Sequence, residues 1–269
     1  MDNVDSYGGV LAALVATFLS DVMNSDPQVV HHVHKSGLAT SFLSLVMGKS
    51  IPGELVWNWE KESVMEPSGE LLMALPNVIT ALSLTEAGAK AVAEANPFPA
   101  LMAIFCSPKY VMPNSRCLLN EMAAIIGTGM DELMRHNPSL RNICLKALVQ
   151  VMNRVVFLGK NLITEEDDAA SPAENKTEGI DLETARTHVM QYGYNVTQLL
   201  EQILHNEDHI APFVAVNGFD ALLDMARWTV TPGGRQLVAH ATCLSSSIAS
   251  ATHSTTSSTL SVLVKTVAA

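Results

Sequence analysis

Two groups of histidines have the spacing of paired metal ligands. His31 and His34 are three residues apart with His32 between them, and His205 and His209 are four apart. A catalytic zinc needs three protein ligands, and no third ligand is identifiable beside either group. The second pair reads H-N-E-D-H rather than H-E-x-x-H, so the general base of a zinc protease is missing. We therefore predict that the first group are ordinary helix-surface or helix-end histidines, and that neither group binds a metal; no cofactor is predicted, and metal-dependent hydrolysis is the enzymatic alternative.

Asp131 and Arg135 form the most prominent polar pair in the chain. They are four residues apart, so on a helix the carboxylate and the guanidinium share one face. Such a surface salt bridge contributes about 0.3–0.5 kcal/mol, and Asn137 would end the helix just before Pro138. The pattern favours this structural role. A contact with another protein is the alternative.

Trp57 and Trp59 flank Asn58 within an apparent insertion at residues 50–69. Exposed tryptophans are frequent anchors of protein interfaces, because a large ring buries much apolar area. The same two rings could instead pin the insertion to the rest of the fold. With Asp131 and Arg135, they are the residues that we predict as possible protein contacts.

No nucleophile motif accompanies these residues. The sequence has no G-x-S-x-G elbow, phosphate-binding loop or dinucleotide fingerprint. Its cysteines are widely spaced and form no C-x-x-C pair, which argues against a zinc cluster or a disulfide framework and fits a reducing compartment. No catalytic residue is predicted, and most of the cysteines are expected in the core. They are Cys106, Cys117, Cys144 and Cys243.

Helix signals recur along the chain and indicate the elements that carry these residues. Asp26-Pro27 and Asn137-Pro138 each supply a capping side chain followed by a first-turn proline. Asp181 is expected to cap a long amphipathic helix over about residues 182–205. A helix is also predicted over 122–134, although Gly127 and Gly129 each cost roughly 1 kcal/mol there relative to alanine.

A short helix, a breaker and a second amphipathic helix occur three times. The three segments are Val33–Leu45, Ala93–Phe105 and Val214–Met225, with breakers Gly37, Pro97 and Gly218. Their irregular spacing approximates multiples of a unit of about 40–47 residues with insertions. The sequence thus predicts an all-α, irregular armadillo/HEAT-like helical solenoid, whose extended surface serves for protein contacts.

The predicted organisation has two helical blocks. An armadillo-like block covers residues 1–163, and a second block covers 181–269. The segment 164–180 between them is acidic and poor in large apolar residues, as in a solvated linker. The apolar stretch after residue 259 lacks a polar capping repeat, so we expect the second block to be truncated inside a larger structure.

Three segments together resemble one family. They are LPNVITALSLTEAG (Leu75–Gly88), NPFPALMAIFCSPKY (Asn96–Tyr110) and MDELMRHNPSL (Met130–Leu140). In this order they are similar to the armadillo-like region near the N-terminus of the giant HECT-type ubiquitin ligases. The resemblance extends from about Val29 to about Ala226. Nothing in the chain resembles the HECT domain, so the catalytic cysteine of that family is assigned to none of the cysteines here.

The resemblance implies a non-catalytic scaffold that presents substrates within a HECT-type ubiquitin-protein ligase. Its partners would be protein substrates and the rest of the ligase ring, in the cytoplasm, the nucleus or both. The alternative is a free-standing armadillo-like adaptor. The net charge of −11 disfavours nucleic acid as a partner. No apolar run reaches the roughly 20 residues that a bilayer requires, so no membrane is expected.

Overall fold

The structure is a computed structural model that describes residues 4–47, 69–106, 119–167 and 182–230. Within these ranges every regular element is helical and no strand occurs, which confirms the predicted all-α class. The 3-10 turn Ile104–Cys106 follows α6, and the 3-10 turn Glu207–His209 precedes α10. The α-helices are α1 (Val4–Ser25), α2 (Pro27–Lys35), α3 (Leu38–Met47), α4 (Gly69–Leu82), α5 (Glu86–Ala95), α6 (Phe98–Ala103), α7 (Leu119–His136), α8 (Pro138–Asp167), α9 (Leu182–Leu204), α10 (Ile210–Ala215) and α11 (Gly218–Val230).

The helices form two layers. The long helices α1, α4, α7 and α9 make the first layer, in which each packs against the next. The second layer contains, in order, α2 with α3, α5 with α6, α8, and α10 with α11. Each first-layer helix and the helices that follow it are one unit, and stacking the units buries apolar faces that no unit could cover alone. The predicted helical solenoid is confirmed.

A short turn leads from the first layer to the second in each unit, and in three units a side chain caps the element that follows. The side chains of Asp26, Thr85 and Asn206 accept backbone N–H groups at 2.9, 3.1 and 3.1 Å, which satisfies donors that a helix start leaves unpaired. Asn137 stands at the corresponding position before α8. The predicted helix start at Asp26-Pro27 is confirmed.

In three units the second-layer helix is interrupted at a residue with positive φ. Gly37, Asn96 and Asn217 have φ angles of 79°, 47° and 62°, the left-handed conformation that commonly ends a helix. Two of them directly precede the predicted breakers Pro97 and Gly218, and the third is the predicted breaker itself. The internal similarity therefore marks equivalent points of three units. The remaining unit differs, because α8 is one continuous helix of 30 residues.

First-layer helices approach each other closely at two glycines of α7. A Cβ atom on Gly127 would lie 2.8 Å from the Cβ of Gln202 in α9. A Cβ atom on Gly129 would overlap the ring of Pro76 in α4. The sequence predicted only a loss of helix propensity at these positions. The structure shows that the missing side chains allow α7 to fit between its two neighbours.

The helix α8 is the centre of the second layer and contacts α6, α7, α9 and α11. By length and composition, its stretch Pro138–Lys160 could cross a bilayer. However, 56% of the most apolar 18 residues of this stretch is buried inside the fold. Core helices have this character, and the fully buried Leu145, Leu148 and Met152 place α8 among them. The same helix extends to Asp167, so the first residues of the predicted 164–180 segment are helical.

The helices on either side of the predicted linker share one core. The second-block helix α9 packs against α7 and α8, and α11 packs against α8. Buried side chains from α1 to α11 form a single continuous cluster. The described helices of both predicted blocks therefore belong to one stack. The division of the chain into two blocks at residues 164–180 remains a prediction.

Candidate protein-binding surfaces

The predicted contact pair Asp131 and Arg135 lies in the last two turns of α7. The Arg135 Nε is 3.2 Å from the Asp131 Oδ2, so the expected ion pair is present. A second, longer contact of 3.9 Å joins Arg135 to Glu132. The Arg135 side chain is 48% exposed, whereas that of Asp131 is 18% exposed. The guanidinium is therefore accessible to a partner, but the carboxylate is largely covered.

Residues of the following unit cover Asp131. The Asn206 Nδ2 donates a hydrogen bond to the Asp131 Oδ1 at 2.9 Å, and the His209 Nε2 lies 2.9 Å from the same oxygen. We refer to Asp131, Arg135, Asn206 and His209 as the inter-unit junction. It ties the end of α7 to the turn before α10, and thus the third unit to the fourth.

The imidazole in this junction is fully buried. Burial lowers the pKa of His209, and the hydrogen bond to Asp131 opposes that shift without reversing it. The neutral ring is the favoured form, with Nε2–H donating to the carboxylate. Its Nδ1 is buried and has no hydrogen-bond partner among the described residues. Nothing in the local sequence signalled this role of His209, because its partner lies 78 residues away.

The other predicted contact residues, Trp57 and Trp59, lie outside the described residues. Whether any of the four predicted residues contacts another protein remains a prediction. The junction adds a structural role for the MDELMRHNPSL segment, since it contains both Asp131 and the turn into α8.

The histidines considered as metal ligands have other surroundings. The His34 Nε2 is 3.1 Å from the Leu82 carbonyl oxygen, which ties α2 to the end of α4. His31 and His32 are exposed, and their ring centroids are 6.0 Å apart. Within the described part of the chain, no group of three or more His, Cys, Asp or Glu side chains could hold a metal ion. These residues give metal-dependent hydrolysis no support.

Two of the cysteines are described, and both are core residues. Cys106 and Cys144 are both buried. Burial raises the pKa of the Cys144 thiol far above its ordinary value, because the low-dielectric core disfavours the thiolate. The thiolate is the nucleophilic form, so Cys144 is inert at neutral pH. Cys117 and Cys243 lie outside the described residues.

The sequence analysis missed an apolar surface on α1. Val10, Leu14 and Phe18 are 60%, 62% and 69% exposed, and Leu11 and Val15 beside them are also exposed. These five residues are the α1 stripe. They lie opposite the buried side of α1, which carries Ala16 and Met23 among others and packs against the rest of the fold. The signal in the sequence was an N-terminal helix that is apolar nearly all round.

A second surface that the sequence analysis missed lies on the outer face of α8. Exposed side chains recur there every three or four residues, and we call them the α8 stripe. They are Asn142, Lys146, Gln150, Asn153, Phe157 and Lys160. The guanidinium carbon of Arg154 lies 5.5 Å from the centre of the Phe157 ring, within range of a cation–π contact. The available signal was a stretch of 26 residues, 138–163, without Asp or Glu.

Comparison with known proteins places these surfaces in a family context. The family model described as "Domain of Unknown Function (DUF913)" matches residues 1–170 and 163–233. The E3 ubiquitin-protein ligase UPL1 of Arabidopsis thaliana is 24% identical over 248 residues, which is 84% of this chain. The E3 ubiquitin-protein ligase HUWE1 of Mus musculus is 26% identical over 165 residues, and ptr1 of Schizosaccharomyces pombe is 27% identical over 161. Each of these two matches covers 60% of this chain.

The matches confirm the resemblance to the large ubiquitin ligases that the three segments predicted. They cover only 6%, 3% and 4% of the UPL1, HUWE1 and ptr1 proteins. The chain therefore corresponds to a small part of each relative.

Proposed function

We propose, from the premise that this chain belongs to the DUF913 family, that it is a non-catalytic scaffold segment of a HECT-type ubiquitin-protein ligase. Its relatives are named E3 ubiquitin-protein ligases, and it matches only a small part of each. A two-layered solenoid suits the role, since its extended surfaces contact other proteins without performing chemistry. The ubiquitin transfer itself would take place elsewhere in the ligase.

The α1 stripe is the observation that carries this proposal. The interior first-layer helix α4 has a first-layer neighbour on each side and leaves only a narrow exposed strip, on which Met73 is the large apolar residue. In contrast, α1 exposes five large apolar residues in two and a half turns. Contiguous exposed apolar surface of this kind marks an interface. It supports a stack that continues beyond α1 in a larger ligase ring.

The partners in this proposal are the remainder of the ligase ring and the protein substrates that the ring orients for ubiquitination. The compartment would be the cytoplasm, the nucleus or both. A scaffold needs no cofactor, and the proposal includes none.

The test is to tag this reading frame at its chromosomal locus and to isolate the tagged protein. The isolate is incubated with ubiquitin, activating enzyme and conjugating enzyme, and is then separated without reductant. We expect a polypeptide many times heavier than 28.9 kDa that carries ubiquitin as a thioester, released by dithiothreitol. A tagged species near 28.9 kDa without a thioester would overturn the proposal in favour of the free-standing adaptor.

A further inference from the structure

We propose that the outer face of the first layer binds a basic amphipathic helix of a partner protein. Three exposed apolar residues and three exposed acidic residues define this surface, which we call the first-layer face. They are Leu14, Met73 and Ile125, with Asp21, Glu132 and Glu201. The inference does not depend on the ligase assignment, because helix binding is a property of the chain itself.

Exposed apolar side chains are concentrated in the first layer. In the described part of the chain nine large apolar residues are exposed, and seven of them lie on α1, α4 and α7. The second layer exposes Phe157, and Leu84 lies in the turn after α4. The apolar side of a partner therefore finds more surface to cover on the first layer than on the second.

Contacts between α4 and α7 place Met73 and Ile125 side by side. The two helices run in the same direction, since each ends at the turn to the second layer. Gly129 of α7 lies against the ring of Pro76 in α4. Met73 and Ile125 each lie about one turn before this point of contact. Both helices have first-layer neighbours on two sides and the second layer behind them, so an exposed side chain points outwards.

Leu14, which also belongs to the α1 stripe, extends the row to α1. The Ser20 Oγ is 3.4 Å from the Asn77 carbonyl oxygen, which fixes the level of α1 against α4. Leu14 precedes Ser20 by six residues and Met73 precedes Asn77 by four. At 1.5 Å per residue, the levels of Leu14 and Met73 therefore differ by only about 3 Å.

Carboxylates lie along one edge of this apolar row. Asp21 follows Leu14 by seven residues on α1, and Glu132 follows Ile125 by seven on α7. Residues seven apart are on the same side of a helix, two turns from each other. Each acidic side chain is thus beyond the apolar residue of its own helix and on the same outer face.

Glu201 extends the acidic edge to α9. Its neighbour Gln202 would contact a Cβ atom on Gly127 of α7. Glu201 is therefore within about one turn of the level of Ile125. Neither Glu201 nor Asp21 forms an ion pair with any of the described residues. These two carboxylates can pair with a cation of a partner without displacing a charge of the protein itself.

The charge of the first layer selects a basic partner. Its four helices contain eight acidic residues, two arginines and no lysine, a net charge of −6 with histidine neutral. The second-layer helices contain seven acidic and seven basic residues, a net charge of zero. Arg135 already pairs with Asp131 at 3.2 Å and approaches Glu132 at 3.9 Å. The remaining complementary charge has to come from Lys or Arg of the partner.

A helix fits the spacing of the row. Packed helices are about 8–10 Å apart, so the apolar residues of the row recur at about that distance. Side chains seven residues apart on a helix share one side and are about 10.5 Å apart. A helix with an apolar residue at every seventh position can lie across the row, with lysines beside these positions over the carboxylates. From α1 to α9 the face spans three steps, about 27 Å, or about 18 residues of helix.

The experiment measures binding of a fluorescein-labelled peptide to the full chain by fluorescence polarisation. The probe is a peptide of about 18 residues with Leu at every seventh position, Lys three and four residues after each Leu, and Ala elsewhere. We expect saturable binding that weakens as salt is raised. Ile125→Gln should raise Kd about tenfold, the loss typical of an interface anchor. Glu201→Lys should raise Kd about fivefold, because it turns an attraction into a repulsion.

Phe157→Gln and Glu94→Lys are the matched controls, because they make the same changes at exposed residues of the second layer. Glu94→Lys alters the net charge of the chain as much as Glu201→Lys does, so it separates a local effect from an effect of overall charge. Each control should change Kd by less than about twofold. Circular dichroism melting of each variant separates a loss of binding from a loss of folding, and the exposed positions are expected to leave the melting temperature unchanged.

Three results would overturn the proposal. The first is equal binding of a peptide in which Glu replaces Lys. The second is an equal change of Kd for the first-layer variants and their second-layer controls. The third is self-association of the chain that Ile125→Gln and Glu201→Lys abolish, which would make a second copy of the chain the occupant.

Discussion

At the scale of single residues, Asp131 determines how the third unit is joined to the fourth. Replacing it by alanine would leave the buried His209 Nε2–H and the Asn206 amide without their acceptor. Buried donors without an acceptor cost about 1–3 kcal/mol. We expect Asp131→Ala to lower the free energy of unfolding by that amount, measured by urea denaturation of the full chain.

Glu132→Ala is the control for this loss. Glu132 is 51% exposed and lies 3.9 Å from Arg135, so its removal should change stability by less than about 0.5 kcal/mol. Equal effects of the two substitutions would mean that Asp131 is only a surface ion-pair partner, as the sequence alone suggested.

The pH dependence of stability is a second prediction at this scale. Burial lowers the pKa of His209 in the folded state, while the unfolded side chain titrates near 6.5. Below about pH 6.5 the unfolded chain binds a proton that the folded chain does not, so stability is present above this pH and is lost as the pH falls below it. We expect His209→Gln, which retains a donor to Asp131, to reduce the difference in unfolding free energy between pH 7.5 and 5.5.

The corresponding control is His31→Gln, since His31 is exposed. Its substitution should leave the pH dependence as in the parent chain. His188 is also buried with a lowered pKa, so part of the acid sensitivity should persist in His209→Gln. A pH profile identical to that of the parent would contradict the assignment to His209.

The sequence predicted one half of the junction for a physical reason. The Asp131–Arg135 pair follows from helix periodicity, which relates residues four apart. The contacts of Asp131 with Asn206 and His209 span 75 and 78 residues, and only the stacking of units brings them together. Local patterns contain no information about such a distance.

At the scale of elements, α7 packs through its glycines rather than through side chains. Alanine at an ordinary helical glycine would stabilise the helix by up to about 1 kcal/mol. At Gly129 the added Cβ would overlap the ring of Pro76, which cannot rotate away. Gly129→Ala should therefore destabilise the chain by about 1–3 kcal/mol, as overpacking does, measured by the urea midpoint.

Gly127→Ala provides the internal comparison. Its added Cβ would meet the side chain of Gln202, which is flexible and exposed enough to move. A smaller loss than for Gly129→Ala is expected. If both substitutions increased stability, helix propensity would dominate. The close approach of α4 and α7 would then make no measurable contribution to the free energy of unfolding.

The sequence predicted the boundaries of helices correctly where a capping or helix-breaking residue lies at the boundary itself. The start of α2 after Asp26 and the breaks near Gly37, Pro97 and Gly218 were predicted from residue types that favour caps and left-handed conformations. The full length of α8 was not predicted, because its end at Asp167 lies in an acidic stretch whose composition resembles that of a solvated linker.

At the scale of the whole molecule, the repeat was recognisable but its period was not. The first-layer helices begin at residues 4, 69, 119 and 182, so successive units are 65, 50 and 63 residues long. The stretches between the last second-layer element of one unit and the first-layer helix of the next have 21, 12 and 14 residues, and the 30-residue α8 lengthens the third unit further. Connections there can vary without disturbing the stack, which hides the periodicity that a regular solenoid would show.

The exposed apolar face of α1 leads to the last prediction. Phe18 and Leu14 are the most exposed residues of the α1 stripe, and exposed apolar area is worth about 25 cal/mol per Å² when it is covered. The isolated chain should therefore self-associate through this surface. We expect the double substitution Leu14→Gln and Phe18→Gln to shift sedimentation velocity profiles towards the monomer and to leave the melting temperature within a few degrees of the parent.

Ile125→Gln is the matched control, because Ile125 is a single exposed apolar residue on α7. It should not alter the sedimentation profile. A double variant that associates like the parent would show that the α1 stripe is not an interface. A double variant that melts much earlier would show that these side chains stabilise α1 within the chain itself. Either result would remove the main structural support for a stack that continues beyond α1. A double variant that is a stable monomer would instead show that this apolar face of α1 can be covered by another helix without any change in the fold.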